Sequence, residues 1–326
     1  MICNFYKYGR RLFFCLFFVL SINTKAAALD KKASSALSHY IMAVMYESLN
    51  QIDRSIEEYS KAVKLDYKSS VIHLNLASSY IKNKELEKAI NELKLTAELE
   101  PEAVEPHAIL ALLYSSQNKV QESNQEYEIA LKNASKLQPD NIDIYKSLAA
   151  VYLKQQKLKE AQDTYKLILD LSPSDAQAHF YLASIYEESK DRARAEEELK
   201  KAIELKPDYQ EALNYLGYLY VEENKNLDQA KTMIRKALEI EPDNGAYVDS
   251  LGWLYFKQGK FQEAIKELER ASILLKDPVI FDHLGDAYFK IGDMEKAKIS
   301  WQNSLDLDSK QDKVKEKIDA IYRRTN

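Results

Sequence analysis

Apolar residues recur along this chain with the spacing of amphipathic helices. Leu76, a small residue and Tyr80 lie at positions i, i+1 and i+4, which places all three on one face of a helix. Residues 89–93 repeat the four-residue apolar step after a short polar segment. Pro101 then lacks the backbone N–H that a helix needs in order to continue. This pattern predicts a helical hairpin over residues 70–103.

The same hairpin pattern recurs eight times along the chain. Its aromatic position returns at intervals of 34, 34, 38, 34, 34, 35 and 33 residues, at Tyr46, Tyr80, Tyr114, Tyr152, Tyr186, Tyr220, Tyr255 and Tyr288. A small residue three positions earlier lets two helix backbones approach closely, and each hairpin needs a neighbour to cover its remaining apolar face. The predicted repeats are residues 36–69, 70–103, 104–141, 142–175, 176–209, 210–244, 245–277 and 278–311.

These positions resemble the tetratricopeptide repeat, a helix–turn–helix unit of about 34 residues. The resemblance covers residues 36–311 and implies an all-α fold, a right-handed superhelical solenoid of about eight units. Beyond it, Val314, Ile318 and Ile321 lie on one face of a further helix, so residues 312–326 are expected to form a capping helix and tail.

Two repeats are longer than the others. Repeat 104–141 has four extra residues around 132–138, which predict a longer second helix or a bulged loop. Repeat 210–244 has one extra residue within 222–227, where the turn between its two helices is expected. Both insertions are expected at the surface, where loops tolerate them.

The N-terminus has the pattern of an export signal. Basic residues precede an apolar run over 12–20. This run is too short for a membrane-spanning helix, which needs about 20 apolar residues. Small residues mark a cleavage site after Ala28. We therefore predict a signal peptide over 1–28 and a linker over 29–35. An uncleaved signal anchor is the alternative, and it would be the chain's only attachment to a membrane.

A narrower resemblance covers residues 210–305. The runs Asn214-Tyr-Leu-Gly-Tyr, Asp249-Ser-Leu-Gly-Trp and Asp282-His-Leu-Gly-Asp are similar to those of a group of bacterial cell-envelope repeat proteins. Some members are lipoproteins that act as adaptors of carboxyl-terminal processing proteases. The resemblance implies a location in the bacterial periplasm or cell envelope, and an envelope protease or an outer-membrane assembly as partner. Phe14 before Cys15 is not the context for lipid attachment.

Composition and motifs give no basis for catalysis. The 46 basic and 51 acidic residues leave a net charge of −5, which is not the footprint of a nucleic-acid-binding protein. No phosphate-binding glycine loop, zinc-protease motif or nucleophile elbow occurs. Both cysteines, Cys3 and Cys15, lie in the predicted signal peptide. We therefore expect no catalytic residue, no metal and no cofactor.

Histidine is the remaining candidate for chemistry. Four histidines occupy the fourth position of their repeats, which predicts a packing role: His39, His73, His107 and His179. His283 lies beside Asp282 and Asp286, which are one helical turn apart and could bracket a cation. An enzyme or metal site at these three residues is an alternative, although a solvated helix face explains them as well.

The repeat resemblance implies a concave groove lined by the first helix of each repeat, at its second, fifth, sixth, ninth, twelfth and thirteenth positions. The later repeats place aromatic and acidic residues there, and the predicted partner-binding residues are Phe180, Tyr181, Asn214, Tyr215, Tyr218, Asp249, Trp253, Phe256 and Phe289. Aromatic side chains on such a face are typical of binding hot spots. Together they favour a protein or peptide ligand with apolar and basic residues.

Two alternatives to groove binding follow from the same residues. Several of the aromatic rings could pack on neighbouring helices, and the protein could instead be a spacer that acts through its ends or its convex face. The Lys and Asn pattern with which some family members clamp a free carboxyl terminus is absent, since Tyr40 and Val44 occupy those positions in the first repeat. A non-catalytic scaffold for protein–protein interaction is the function the sequence favours.

Overall fold

The computed structural model describes residues 31–325, and this part of the chain contains seventeen helices and no strand. In chain order they are α1 Lys31–Ser48, α2 Ile52–Leu65, α3 Ser70–Lys82, α4 Leu86–Leu99, α5 Glu105–Ser116, α6 Val120–Leu137, α7 Ile142–Lys154, α8 Leu158–Leu171, α9 Ala176–Glu188, α10 Arg192–Leu205, α11 Gln210–Glu222, α12 Leu227–Ile240, α13 Gly245–Lys257, α14 Phe261–Leu274, α15 Pro278–Lys290, α16 Met294–Leu307 and α17 Asp312–Thr325. The predicted all-α array of helical hairpins is confirmed. The predicted signal peptide over 1–28 lies outside the described residues.

The described chain forms two compact units, one ending at Asn133 and the other beginning at Ala134. The division falls within α6. In the first unit, α1 pairs with α2 and α3 with α4, whereas the second unit contains the hairpins from α7–α8 to α15–α16 together with α17. None of the described helices combines the length and the apolar character that a membrane crossing requires.

The first helix of each hairpin ends in a turn built on the repeated tyrosine. The tyrosine carbonyl accepts the N–H of the residue five positions later, as from Glu85 to Tyr80 at 2.9 Å and from Lys260 to Tyr255 at 2.9 Å. The residue immediately before that N–H donor adopts a left-handed conformation, which is the geometry of a Schellman cap. Left-handed turn residues recur with the period of the repeat, at Asn50, Lys84, Asn118, Gln156, Lys190, Asn224, Gly259 and Gly292.

The small positions of the repeat lie where two helices approach most closely. Ala43, Ala77, Ala149 and Ala183 are completely buried. In the later hairpins glycine takes this position, and the side chain facing it is large. A methyl group added at Gly285 would overlap the indole ring of Trp301. Close packing of this kind is what the alternation of small and large residues predicts.

Three local features differ from, or refine, the sequence predictions. α1 begins at Lys31, so residues 31–35 are helical rather than a linker; this segment has no glycine or proline, and Ala36 is buried immediately after it. The four extra residues of the third repeat lengthen α6 to 18 residues rather than forming a bulge. The extra residue of the sixth repeat is accommodated by a second left-handed residue, Asn226.

The C-terminal end of the second unit is covered by α17. Val314 and Ile318 are buried in one apolar cluster with Leu284, Tyr288 and Trp301 of the last hairpin. The burial explains why this helix carries apolar residues on one face only.

Candidate functional site

The candidate site lies in the second unit, on the face formed by the first helices of its hairpins. α11 contacts α13, and α13 contacts α15. Because these helices follow one another in successive repeats, side chains at equivalent positions form rows along the face. The nine predicted partner-binding residues belong to four of these helices, α9, α11, α13 and α15.

A cavity of about 330 Å³ opens on this face. Its lining consists of Phe180, Glu211, Asn214, Tyr215, Tyr218, Ala246, Tyr247, Asp249, Ser250, Leu275, Asp277, Val279 and Ile280. Five of the nine predicted residues therefore meet at one place: Phe180, Asn214, Tyr215, Tyr218 and Asp249. A cavity of this size can hold a large side chain or a short peptide segment.

Aromatic rings form one wall of the cavity. Phe180 makes an edge contact with Tyr215, with ring centroids 6.1 Å apart, and a tilted contact with Tyr209 at 5.2 Å. Phe180, Tyr215 and Tyr218 are half-buried, so each has area left to bury against a ligand. Such rings offer large apolar surfaces with few rotatable bonds, which is the property of binding hot spots.

Asn214 brings an unsatisfied polar atom to the same wall. Its Oδ1 atom is buried and has no hydrogen-bond partner among the described residues. A buried acceptor without a partner is costly, and native structures contain few of them. The side chain as a whole is half-buried, so its amide can turn toward a donor that enters the cavity.

The cavity has an acidic environment. Glu211, Asp249 and Asp277 contribute carboxylates to its lining. The pKa of Tyr215 is raised to about 12, first by burial and then by the charges of Glu187 and Glu188. The two carboxylates contribute to this rise because negative charge disfavours the phenolate, although burial contributes more.

Asp249 is paired with a histidine of the next repeat. His283 Nδ1 lies 3.0 Å from Asp249 Oδ1, and both side chains are buried. Burial alone lowers the pKa of His283, but the charge and hydrogen bond of Asp249 outweigh it, and the pKa is raised above its ordinary value. The charged form of this histidine is therefore favoured, and it offsets the charge of Asp249.

Trp253 supports the face from within. Only 7% of it is exposed, and its indole stacks on Phe256, at a centroid distance of 4.5 Å, and on His283, at 3.9 Å. Its Nε1 donates a hydrogen bond of 2.6 Å to Glu222. The sequence placed Trp253 among the anchors for a partner, but the indole has little area left for one.

The other predicted residues lie apart from the main cavity. Phe256 is half-buried and stacks on Trp253, and Phe289 packs on Trp301 with centroids 5.7 Å apart. Tyr181 stacks on Tyr165 at 5.3 Å and lines a second cavity of about 260 Å³.

Asp282 and Asp286 bracket a cation that belongs to the protein itself. The Lys317 Nζ atom of α17 lies 2.6 Å from Asp282 Oδ1 and 2.7 Å from Asp286 Oδ1. Asp286 also accepts a hydrogen bond of 3.2 Å from Trp301 Nε1. His283 is oriented toward Asp249 instead. Among the described residues no group of histidine, cysteine and acidic side chains has the arrangement of a metal site.

The four histidines at the fourth position join the two helices of their own hairpins. Each places Nδ1 beside a glutamate nineteen residues later, in the pairs His39–Glu58, His73–Glu92, His107–Glu126 and His179–Glu198, at 2.5 to 2.6 Å. Their common geometry is structural, in agreement with the packing role expected from their position.

Two further apolar surfaces bear on the alternative functions. On the second helices of the second unit, Ile273 is 77% exposed and Ile299 is 59% exposed, beside a cavity of about 400 Å³. In the first unit, α1 exposes Leu37, Ile41 and Met45 on one side. Exposed apolar side chains that lie together in this way are available for contact with another protein.

Part of the cavity lining was not among the partner-binding residues predicted from the sequence. Glu211, Ala246 and Val279 occupy the second positions of their repeats, where the groove pattern already places lining residues, so this signal was present. Leu275 and Asp277 come from the connection between α14 and α15, for which the pattern offers no signal. Lys317 was missed because it belongs to the charged face of the tail.

Comparison with known proteins agrees with the repeat pattern. Three family models, all described as tetratricopeptide repeat, match residues 186–254; residues 110–176 and 148–210; and residues 36–69, 249–272 and 280–311. Together these matches cover more than half of the chain. No curated protein matches the sequence.

Two solved structures show the same fold. A tetratricopeptide repeat protein from Parabacteroides merdae is 18% identical, with a TM-score of 0.55, and the match covers 77% of this chain and 97% of that one. The Cut9–Hcn1 hetero-tetramer of the APC/C contains a chain that is 15% identical, with a TM-score of 0.56, and the match covers 89% of this chain and 70% of that one. At these identities the likeness concerns the fold alone.

Proposed function

The chain belongs to the tetratricopeptide repeat family, and from this premise we propose that it is a non-catalytic scaffold whose second unit holds a partner polypeptide. The observation that carries the proposal is the cavity on the first-helix face, where five residues singled out from the sequence meet. Their aromatic rings are only half-buried, so each has area left to bury against a partner.

The chemistry of the face supports binding rather than catalysis. Asp249 is engaged in a pair with His283, and Asp277 caps α15 by accepting the backbone N–H of Val279. Its tyrosines have raised pKa values and stay protonated at neutral pH, so they are not poised as bases. Apolar rings beside isolated polar groups are instead the usual composition of a recognition site.

The test is affinity capture from a lysate of the source organism with the chain from residue 29 as bait, followed by mass spectrometry. The groove variant is Tyr215→Ser/Tyr218→Ser, with helicity checked by circular dichroism. We expect a partner that binds the unchanged bait and is lost with this variant. Retention of that partner by a folded groove variant would contradict the proposal.

Two matched variants separate the groove from the other surfaces. Ile273→Ser/Ile299→Ser changes the exposed second-helix surface, and Leu37→Ser/Ile41→Ser changes the exposed side of α1. We expect both variants to retain the partner. Loss with either of them, but not with the groove variant, would indicate a spacer that acts through its convex face or its end.

We further propose that the protein works in the bacterial periplasm or cell envelope, which rests on the sequence of the N-terminal 28 residues and on the narrower resemblance over 210–305. Cell fractionation of the native protein tests the location. An assay of an envelope carboxyl-terminal processing protease, with and without this protein, tests the adaptor role. An unchanged cleavage rate would remove the protease from consideration.

A further inference from the structure

We propose that the 330 Å³ cavity accepts a basic side chain, an arginine or a lysine, of the bound polypeptide. The inference rests on the proposed function, because it names the chemistry of the partner at that same face. It is carried by three kinds of group that surround one space: carboxylates, aromatic rings and an unpaired amide oxygen.

The carboxylates leave a net negative charge at the cavity. Its lining contains Glu211, Asp249 and Asp277 but no lysine, arginine or histidine. Asp249 is offset by His283, whereas Glu211 and Asp277 take part in no ion pair among the described residues. The carboxylate of Asp277 accepts the backbone N–H of Val279, at 2.8 Å. Two carboxylates thus remain for a cation from outside.

Nearby cations of the chain are already engaged elsewhere. The charge of Arg192 reaches Tyr215 and Tyr218, but its guanidinium lies 3.3 Å from Glu187 and 3.8 Å from Glu223. Lys257 lies over the ring of Trp253, at 4.9 Å from its centroid. Because neither side chain lines the cavity, no cation of the described residues fills the place that we assign to the partner.

The aromatic wall favours a cation over a neutral polar group. A guanidinium or ammonium group within about 6 Å of a ring centroid is attracted by the negative face of that ring. Phe180, Tyr215 and Tyr218 present half-buried rings to the cavity. The long aliphatic stem of arginine or lysine can pack on the same rings while its charged end reaches the carboxylates.

Asn214 supplies the third feature. Its buried Oδ1 atom has no donor in the part of the chain that the structure describes. A guanidinium has five N–H donors and an ammonium has three, so either can serve this acceptor and a carboxylate at once. A neutral apolar side chain would leave Oδ1 unpaired and would bring no charge to Glu211 and Asp277.

The experiment compares two synthetic peptides that differ in one charge. The first is acetyl-Gly-Ala-Leu-Arg-Leu-Ala-Gly-amide, and the second carries citrulline, a neutral isostere, in place of arginine. Binding to the chain from residue 29 is measured by isothermal titration calorimetry at low salt. We expect the arginine peptide to bind about tenfold more tightly than the citrulline peptide, which corresponds to ~1.4 kcal/mol.

A pair of variants locates the effect. In Glu211→Gln/Asp277→Asn the preference for arginine should disappear, and Asn at position 277 still caps α15. The control Glu239→Gln/Glu263→Gln removes the same charge from exposed sites outside the cavity lining and should keep the preference. If the control loses the preference as fully as the cavity variant does, the effect is one of overall charge and the inference is wrong.

The failures of the two proposals are distinguishable. Equal affinity for the two peptides, or no binding of the arginine peptide, overturns the basic-side-chain inference and leaves the captured partner of the groove unaffected. Retention of the captured partner by the Tyr215→Ser/Tyr218→Ser variant overturns the proposed function itself.

Discussion

The indole of Trp253 lies parallel to the imidazole of His283, with the two ring centroids 3.9 Å apart. His283 belongs to the following repeat and pairs in turn with Asp249, at the edge of the cavity. The three side chains form a buried connection between α13 and α15. The first helices of two successive hairpins are therefore linked here by buried side chains, and one of these, Asp249, also lines the cavity.

Replacement of Trp253 should affect stability before it affects binding. Trp253→Ala removes a buried ring that contacts both Phe256 and His283, so we expect the free energy of unfolding to fall by about 3–5 kcal/mol. Trp253→Phe keeps a stacked ring and loses the hydrogen bond to Glu222 and part of the buried ring volume, so its loss should be smaller. Denaturant unfolding followed by circular dichroism measures both. Equal losses in the two variants would indicate that the stacking contributes nothing.

The Asp249–His283 pair should make stability depend on pH. The pKa of His283 is raised in the folded protein, so the folded state binds its proton more tightly than the unfolded chain does. The stabilisation is complete below the ordinary histidine pKa of 6.5 and is lost as pH rises through the higher folded pKa. The difference in unfolding free energy between the unchanged protein and His283→Gln should therefore be largest at mildly acidic pH, and at alkaline pH it should shrink to what the stacking of His283 on Trp253 contributes. A difference that grows with rising pH would contradict this assignment.

Gly285→Ala should destabilise the last hairpin. In an exposed helix the same change would stabilise by about 0.5–1 kcal/mol. Here the added methyl group overlaps the buried indole of Trp301, so we expect a loss of about 1–3 kcal/mol instead. Thermal unfolding of Gly285→Ala gives the sign directly. Gly285→Ala should cost less stability in a protein that already carries Trp301→Phe than in the unchanged protein, because the smaller ring makes room for the methyl group.

The repeat pattern could predict the hairpins because each unit repeats the same close approach of a small residue and a large one. It could also predict five of the cavity residues, since equivalent positions form rows on one face. It could not predict that Trp253 is covered, because the covering ring, His283, comes from the next repeat and depends on the packing of α13 against α15. Nor could it predict the contribution of Leu275 and Asp277, whose connection follows no periodicity.

The recurring histidine–glutamate pair should stabilise a hairpin more strongly when the histidine ring is more deeply buried. In His73 the ring is 3% exposed, with Nδ1 at 2.5 Å from Glu92 and Nε2 at 2.9 Å from the carbonyl of Tyr67. His39 makes the same contact with Glu58, but its ring is 29% exposed. We expect His73→Gln to cost about 1–3 kcal/mol and His39→Gln to cost less. A larger loss for His39→Gln in chemical denaturation would show that burial does not set the contribution.

The attachment of α17 should depend on Lys317. Its ammonium bridges Asp282 and Asp286, and burial raises the pKa of Asp286 while Lys317 opposes that rise. Lys317→Met keeps the aliphatic stem but leaves both carboxylates without their cation, so we expect a loss of about 1.5–3 kcal/mol at neutral pH and faster proteolysis near α17. Protonation of the carboxylates removes the need for the cation, so the loss should shrink as pH falls through the pKa of Asp286.

The control is Lys315→Met, because Lys315 is exposed and pairs only with Asp312 of its own helix. It should change stability by no more than about 0.5 kcal/mol. If Lys317→Met and Lys315→Met lose the same stability, the bridge does not hold the helix in place.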